Sequence, residues 1–67
     1  MLRYKFEVLK KLREAGYTAY KMQKENILSN STIQKLRRGE IVGGRNIDTL
    51  CRLLDCQPGD LIEYVSD

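Results

Sequence analysis

Between Asn30 and Arg38 the chain carries Asn30, Ser31, Gln34, Lys35, Arg37 and Arg38, broken by only two large apolar residues, Ile33 and Leu36. Side-chain amides and hydroxyls donate and accept hydrogen bonds; guanidinium and ammonium groups only donate. The chemistry open to such a set is recognition. Amides and hydroxyls match the base edges of a major groove, and Lys35, Arg37 and Arg38 can take guanine edges or phosphates. Solvation of an exposed helix face is the competing account. Bond-making chemistry has no comparable set. The chain has no His, no phosphate-cradling loop, no paired carboxylates and no nucleophile beside a base, so neither an enzyme nor a cofactor is expected. Cys51 and Cys56 cannot supply a four-ligand zinc site without further Cys or His. They read as thiols of a cytoplasmic protein, Cys51 as a small core residue and Cys56 near a helix end.

The polar set needs a rigid support. Ile33 and Leu36, three apart, predict a helix from about Asn30 to Arg38 with a narrow apolar seam, opened by Ser29 as N-cap and stopped by Gly39. Thr18 is an N-cap for a preceding helix over roughly Ala19 to Glu25, with Ala19 and Met22 inward. Asn26 and Ile27 interrupt it, and Leu28 is expected to be buried. Two short helices about three residues apart form a helix-turn-helix at about 18–38. In that layout the first helix crosses a DNA backbone and the second reads bases from its N-terminal residues. Asn30 and Ser31 stand at that exposed start, and Gln34 and Lys35 follow one turn later. The helix start at Ser29 favours a phosphate.

The flanking segments supply the rest of the core. A first helix is expected from about Lys5 to Ala15, with Phe6, Val8, Leu9, Leu12 and Arg13 on one stripe and Gly16 at the left-handed position after it. Glu40 to Arg45 reads as a polar loop containing Gly43 and Gly44, either hugging a backbone or, the favoured reading, merely flexible. Asn46 is expected to cap a helix from Ile47 to Asp55 with Ile47, Leu50, Cys51 and Leu54 on one face. Pro58 fits the first position of a short last helix, with Leu61 and Ile62 inward. Tyr64 and Val65 finish the core or face a partner. No strand is expected. The fold class is all-α, four to five short helices, and 67 residues bound it to one domain spanning 1–67.

Net charge is +3, unevenly spread. The first two-thirds is basic, whereas residues 46–67 carry Asp48, Asp55, Asp60, Glu63 and Asp67 against Arg52. A polyanion on one side of the fold fits that asymmetry, and so does a pair of solvated faces. No apolar run is long enough to span a membrane, and no signal peptide is expected. Tyr4, Tyr17, Tyr20 and Tyr64 are scattered, which favours packing with a wet hydroxyl over base stacking.

From about Val8 to Val65 the chain resembles the lambda-repressor-like, XRE/Cro-type family of DNA-binding domains. The resemblance rests on Leu9, Leu12 and Arg13, then Tyr17 and Thr18, Tyr20 to Met22, and the run Leu28 to Ile33 with Leu36 and Gly39. Asp48 to Cys51, Leu53, Leu54 and the stretch from Cys56 through Pro58, Gly59, Asp60 and Leu61 are similar to small members of that family. The resemblance implies a prokaryotic or phage transcriptional regulator that binds double-stranded DNA with its third helix in the major groove. It puts base reading on Asn30, Ser31 and Lys35, with Gln34 nearby, and backbone contact around Thr18, Arg38 and Arg45. A single reading helix implies a homodimer on a two-fold site, with Leu61, Ile62, Tyr64 and Val65 as the dimer surface. No small-molecule effector is apparent. Three positions depart from the family pattern: Ala19 in place of Gln, Gln23 in place of a small residue, and Ile27 in place of a turn Gly. Asn26 is expected to take the left-handed geometry that Ile27 resists. These departures motivate an alternative, a protein-interaction module of antitoxin or anti-regulator type with weakened DNA binding.

Overall fold

A computed structural model describes residues 1–66 of the chain; Asp67, counted above in the acidic segment, lies outside them. In order it contains β1 (Leu2–Tyr4), α1 (Val8–Glu14), α2 (Ala19–Lys24), α3 (Asn30–Arg38), α4 (Gly44–Leu54), α5 (Pro58–Leu61) and β2 (Ile62–Tyr64). Thr18 Oγ1 accepts from the Lys21 amide at 3.1 Å and Ser29 Oγ from the Thr32 amide at 3.2 Å. Both predicted caps are therefore in place. Pro58 opens α5, where the Gln57 amide donates to Asp60 at 3.0 Å.

The first four helices end alike. Gly16, Asn26, Gly39 and Asp55 take φ of 95°, 56°, 79° and 52°. After each, the next amide reaches back to a helix carbonyl: Tyr17 to Leu12, Ile27 to Met22, Glu40 to Lys35 and Cys56 to Cys51, at 2.7 to 3.0 Å. This double-back satisfies carbonyls that a helix end leaves bare, and it turns the chain sharply. Asn and Asp tolerate the left-handed region better than β-branched residues. Asn26, not Ile27, accordingly makes the turn between α2 and α3, as expected. At α4 the apolar contact that accompanies such an ending falls to two thiols, Cys51 and Cys56.

Leu12, Met22, Ile33, Leu50 and Leu61 are fully enclosed. They come one from each helix, α1 through α5. Burying such a side chain is worth roughly 1.5–3 kcal/mol, so the core closes only when all five helices are docked. Val8, Leu9, Leu28, Leu36 and Val42 complete it. The one buried polar side chain among the described residues is Thr32. Its hydroxyl accepts from Ser29 Oγ at 3.0 Å and from Asn46 Nδ2 at 3.3 Å, which ties the start of α3 to α4.

Several expectations are corrected. Residues 2–4 and 62–64 pair as antiparallel strands with Leu2 opposite Tyr64, Arg3 opposite Glu63 and Tyr4 opposite Ile62. Ile62 thus belongs to a strand rather than to the last helix, and α1 starts at Val8 rather than Lys5. Next, α4 starts at Gly44 with Gly43 before it. Arg45 is therefore helical rather than part of a flexible loop, and Asn46 spends its side chain on Thr32 instead of capping. Arg13 is exposed and off the apolar stripe. Finally, Leu61 is wholly inside the core and cannot form a dimer surface.

Candidate nucleic-acid interface

The exposed side of α3 is built on its buried side. Thr32, Ile33 and Leu36 face inward, which leaves Asn30, Ser31, Lys35, Arg37 and Arg38 exposed and Gln34 half-buried. The structure thus brings the four expected base-reading residues, Asn30, Ser31, Gln34 and Lys35, together along one helix. Asn30 Oδ1 accepts from Gln23 Nε2 of α2 at 2.5 Å. Ser31 Oγ lies 3.1 Å from Ser29 Oγ. Gln34 Oε1 accepts from Arg37 Nη1 at 3.3 Å. Lys35 has no ion pair among the described residues. Three of the four are held in place by neighbours, and a held side chain loses less entropy when it binds.

The residues expected at a DNA backbone divide. Thr18 and Ser29 open α2 and α3 and use their oxygens as caps. Arg37 and Arg38 stand in the last turn of α3, where a cation also complements the helix dipole. Arg38 is paired with Glu40 on the surface. Arg45 is in the first turn of α4, its carbonyl accepting from Thr49 Oγ1 at 3.2 Å.

Two of the three departures from the family pattern are absorbed. Gln23 is exposed and bonded to Asn30, so its bulk does not separate the helices. Ile27 keeps a negative φ because Asn26 makes the turn. Ala19 remains as a short side chain at the start of α2.

Sequence reasoning missed the role of Tyr4. Its hydroxyl donates to the Glu40 carbonyl at 2.8 Å and accepts from the Val42 amide at 3.1 Å. The terminal strand pair thereby clamps the segment that leaves α3. Burial pushes the Tyr4 phenol up from its ordinary range, partly offset by the Val42 amide. The expectation of a wet hydroxyl fails here, and packing fails for Tyr20 and Tyr64, each 72% exposed. Lys24 lies over the Tyr20 ring at 5.7 Å and Lys21 over the Tyr17 ring at 5.5 Å, which holds two cations along α2. No sequence signal marks Tyr4, because its partners lie 36 and 38 positions away.

Residues 7–67 match the model of the Cro/C1-type HTH DNA-binding domain. The chain belongs to that family, and its five helices are those of such a domain. Among curated proteins it is similar to the "Uncharacterized HTH-type transcriptional regulator YozG" of Bacillus subtilis (strain 168), 35% identical over 40 residues. That match covers 60% of this chain and 48% of the relative, so it spans about half of the relative's length. No solved structure matches. No helix among the described residues is long and apolar enough to cross a membrane.

Proposed function

We propose that the chain is a sequence-specific regulator of transcription that binds double-stranded DNA with α3 in the major groove. Asn30, Ser31, Gln34 and Lys35 read base edges. Thr18, Ser29, Arg37, Arg38 and Arg45 hold the backbone. The observation that carries this reading is the polar side of α3, whose donors and acceptors are fixed by Gln23, Ser29 and Arg37 while its other side is locked through Thr32 to α4. Fixed donors and acceptors are what base discrimination requires.

The protein works as a homodimer in the cytoplasm of a bacterium or of a phage-infected cell. With Leu61 inside the core, the dimer surface falls on the strand pair. Leu2 and Tyr64 are opposite each other there and exposed, flanked by Ile62 and Val65. Two reading helices then address half-sites about one helical turn apart, roughly 34 Å. No small-molecule effector enters this reading.

The test is selection from pooled random duplexes at about physiological salt, followed by sequencing. Enrichment of a two-fold motif is the expected result. Recovery without a motif would mean binding through the backbone alone. Failure to recover any DNA would overturn the proposal in favour of an interaction module of antitoxin or anti-regulator type.

A further inference from the structure

Two clefts lie along the flank of α3 and share Glu7, Leu36 and Arg37; Arg13 lines one, and Arg3 and Arg38 the other. Their partners separate them. Arg3 is paired with Glu63 at 2.8 Å and Arg38 with Glu40. Arg13 and Arg37 form no ion pair among the described residues. These two line the same cleft, together with Leu9, Ala19 and Leu36. Its volume is about 140 Å³, well below the roughly 300–1,000 Å³ of small-molecule sites. A small anion suits it better than a metabolite.

The chemistry of the pair narrows the anion. Guanidinium groups present planar forks of donors that match phosphate oxygens, and two arginines lining one cleft favour a tetrahedral anion with several acceptors. Ala19 lines the cleft with a short side chain. Glu7 lines it too and opposes an anion, yet it pairs with neither arginine. Position names the source. Arg37 Nη1 donates to Gln34 Oε1 at 3.3 Å, so the cleft adjoins the side of α3 assigned to base reading.

We infer that Arg13 and Arg37 together seat one phosphate of the duplex backbone in the cleft between α1, α2 and α3. Arg13 is thereby a DNA-positioning residue contributed by α1. This rests on the DNA-binding reading above. The seat carries no base preference. It sets how deeply α3 enters the groove, because one phosphate is gripped from both the first and the third helix.

The experiment measures duplex affinity across a salt series for the parent and for Arg13→Gln, Glu7→Gln and Lys10→Gln. Lys10 stands on α1 outside the cleft and controls for loss of a distant charge. Arg13→Gln is expected to lower the slope of log affinity against log salt by about one and to weaken specific and random duplexes alike. Glu7→Gln is expected to tighten both, and Lys10→Gln to leave the slope unchanged. An unchanged slope in Arg13→Gln, or an equal fall in Lys10→Gln, overturns the seat. In parallel, inorganic phosphate is titrated while the arginine Nε–Hε signals are followed by NMR; shifts at Arg13 and Arg37 that vanish in Arg13→Gln are expected. Should phosphate give those shifts while the parent binds no duplex, the cleft takes a free anion, and both the backbone assignment and the DNA-binding reading fall. With duplex binding intact but no phosphate shifts and no slope change, only the seat falls.

Discussion

Gln23 Nε2 donates to Asn30 Oδ1 at 2.5 Å, across the turn that joins α2 to α3. The oxygen of the first residue of α3 is thus engaged within the protein. Asparagine reads adenine by accepting and donating together, and Gln23 takes up one of the two lone pairs of the Asn30 oxygen. Gln23→Ala is expected to release the oxygen and raise the preference for adenine at the base that Asn30 faces. The rest of the site should keep its pattern. Motifs selected in parallel by parent and variant decide this; identical motifs would show that the Gln23 contact has no part in readout.

The second expectation concerns the polar joint beneath α3. Ser29→Ala removes a helix cap and should cost about 1 kcal/mol. Thr32→Val removes the acceptor shared by Ser29 and Asn46 and should cost about 1 kcal/mol as well. The double variant should lose less than the two together, because each change breaks the same Ser29–Thr32 contact. Chemical denaturation of the four proteins tests this. Strict additivity would mean that the hydroxyls act independently.

Tyr4→Phe keeps the ring and removes the hydroxyl that links the Glu40 carbonyl to the Val42 amide. Val42 is buried. An amide left without an acceptor there should cost roughly 1–3 kcal/mol. Urea midpoints measure the loss, and a variant as stable as the parent would place water at the Val42 amide instead.

At the end of α4, burial raises the Cys56 thiol first, and Cys51, Asp60 and Asp55 push it in the same direction. The thiolate is the reactive form. Near neutral pH Cys56 should therefore alkylate more slowly with iodoacetamide than a thiol in an unstructured peptide, and its rate should climb at higher pH than the peptide's. By the same linkage, the folded state disfavours the thiolate, so the stability that Cys56 contributes is present below its ordinary range and lost as pH rises through the raised one. Mass-spectrometric rates against pH give the answer; matching the peptide's profile would contradict the assigned surroundings.

Most of the α-helical frame was legible because its signals are local. Thr18 and Ser29 cap where their type and neighbours place them. Gly16, Asn26 and Gly39 turn the chain where left-handed geometry is tolerated, and Ile33 and Leu36 fix which side of α3 is buried. The strand pair was not legible, since three-residue strands carry almost no alternation and their partners lie at opposite ends of the chain. The same distance hid the clamp at Tyr4. Asn46 was misread because a cap and an inward hydrogen bond ask for the same side chain, and only the packing of α4 against Thr32 decides between them. Arg13 shares the spacing of the apolar stripe, yet its charged side chain is exposed.

The strand pair also has a kinetic meaning. Arg3 and Glu63 are 60 positions apart, and pairings of such sequence separation raise the contact order that slows the folding of a small domain. The Val42 amide is held by a hydroxyl carried on β1, so its exchange with solvent deuterium is coupled to that closure. The segment leaving α3 therefore opens only with the pairing of the two ends of the chain, although it lies a few residues from α3.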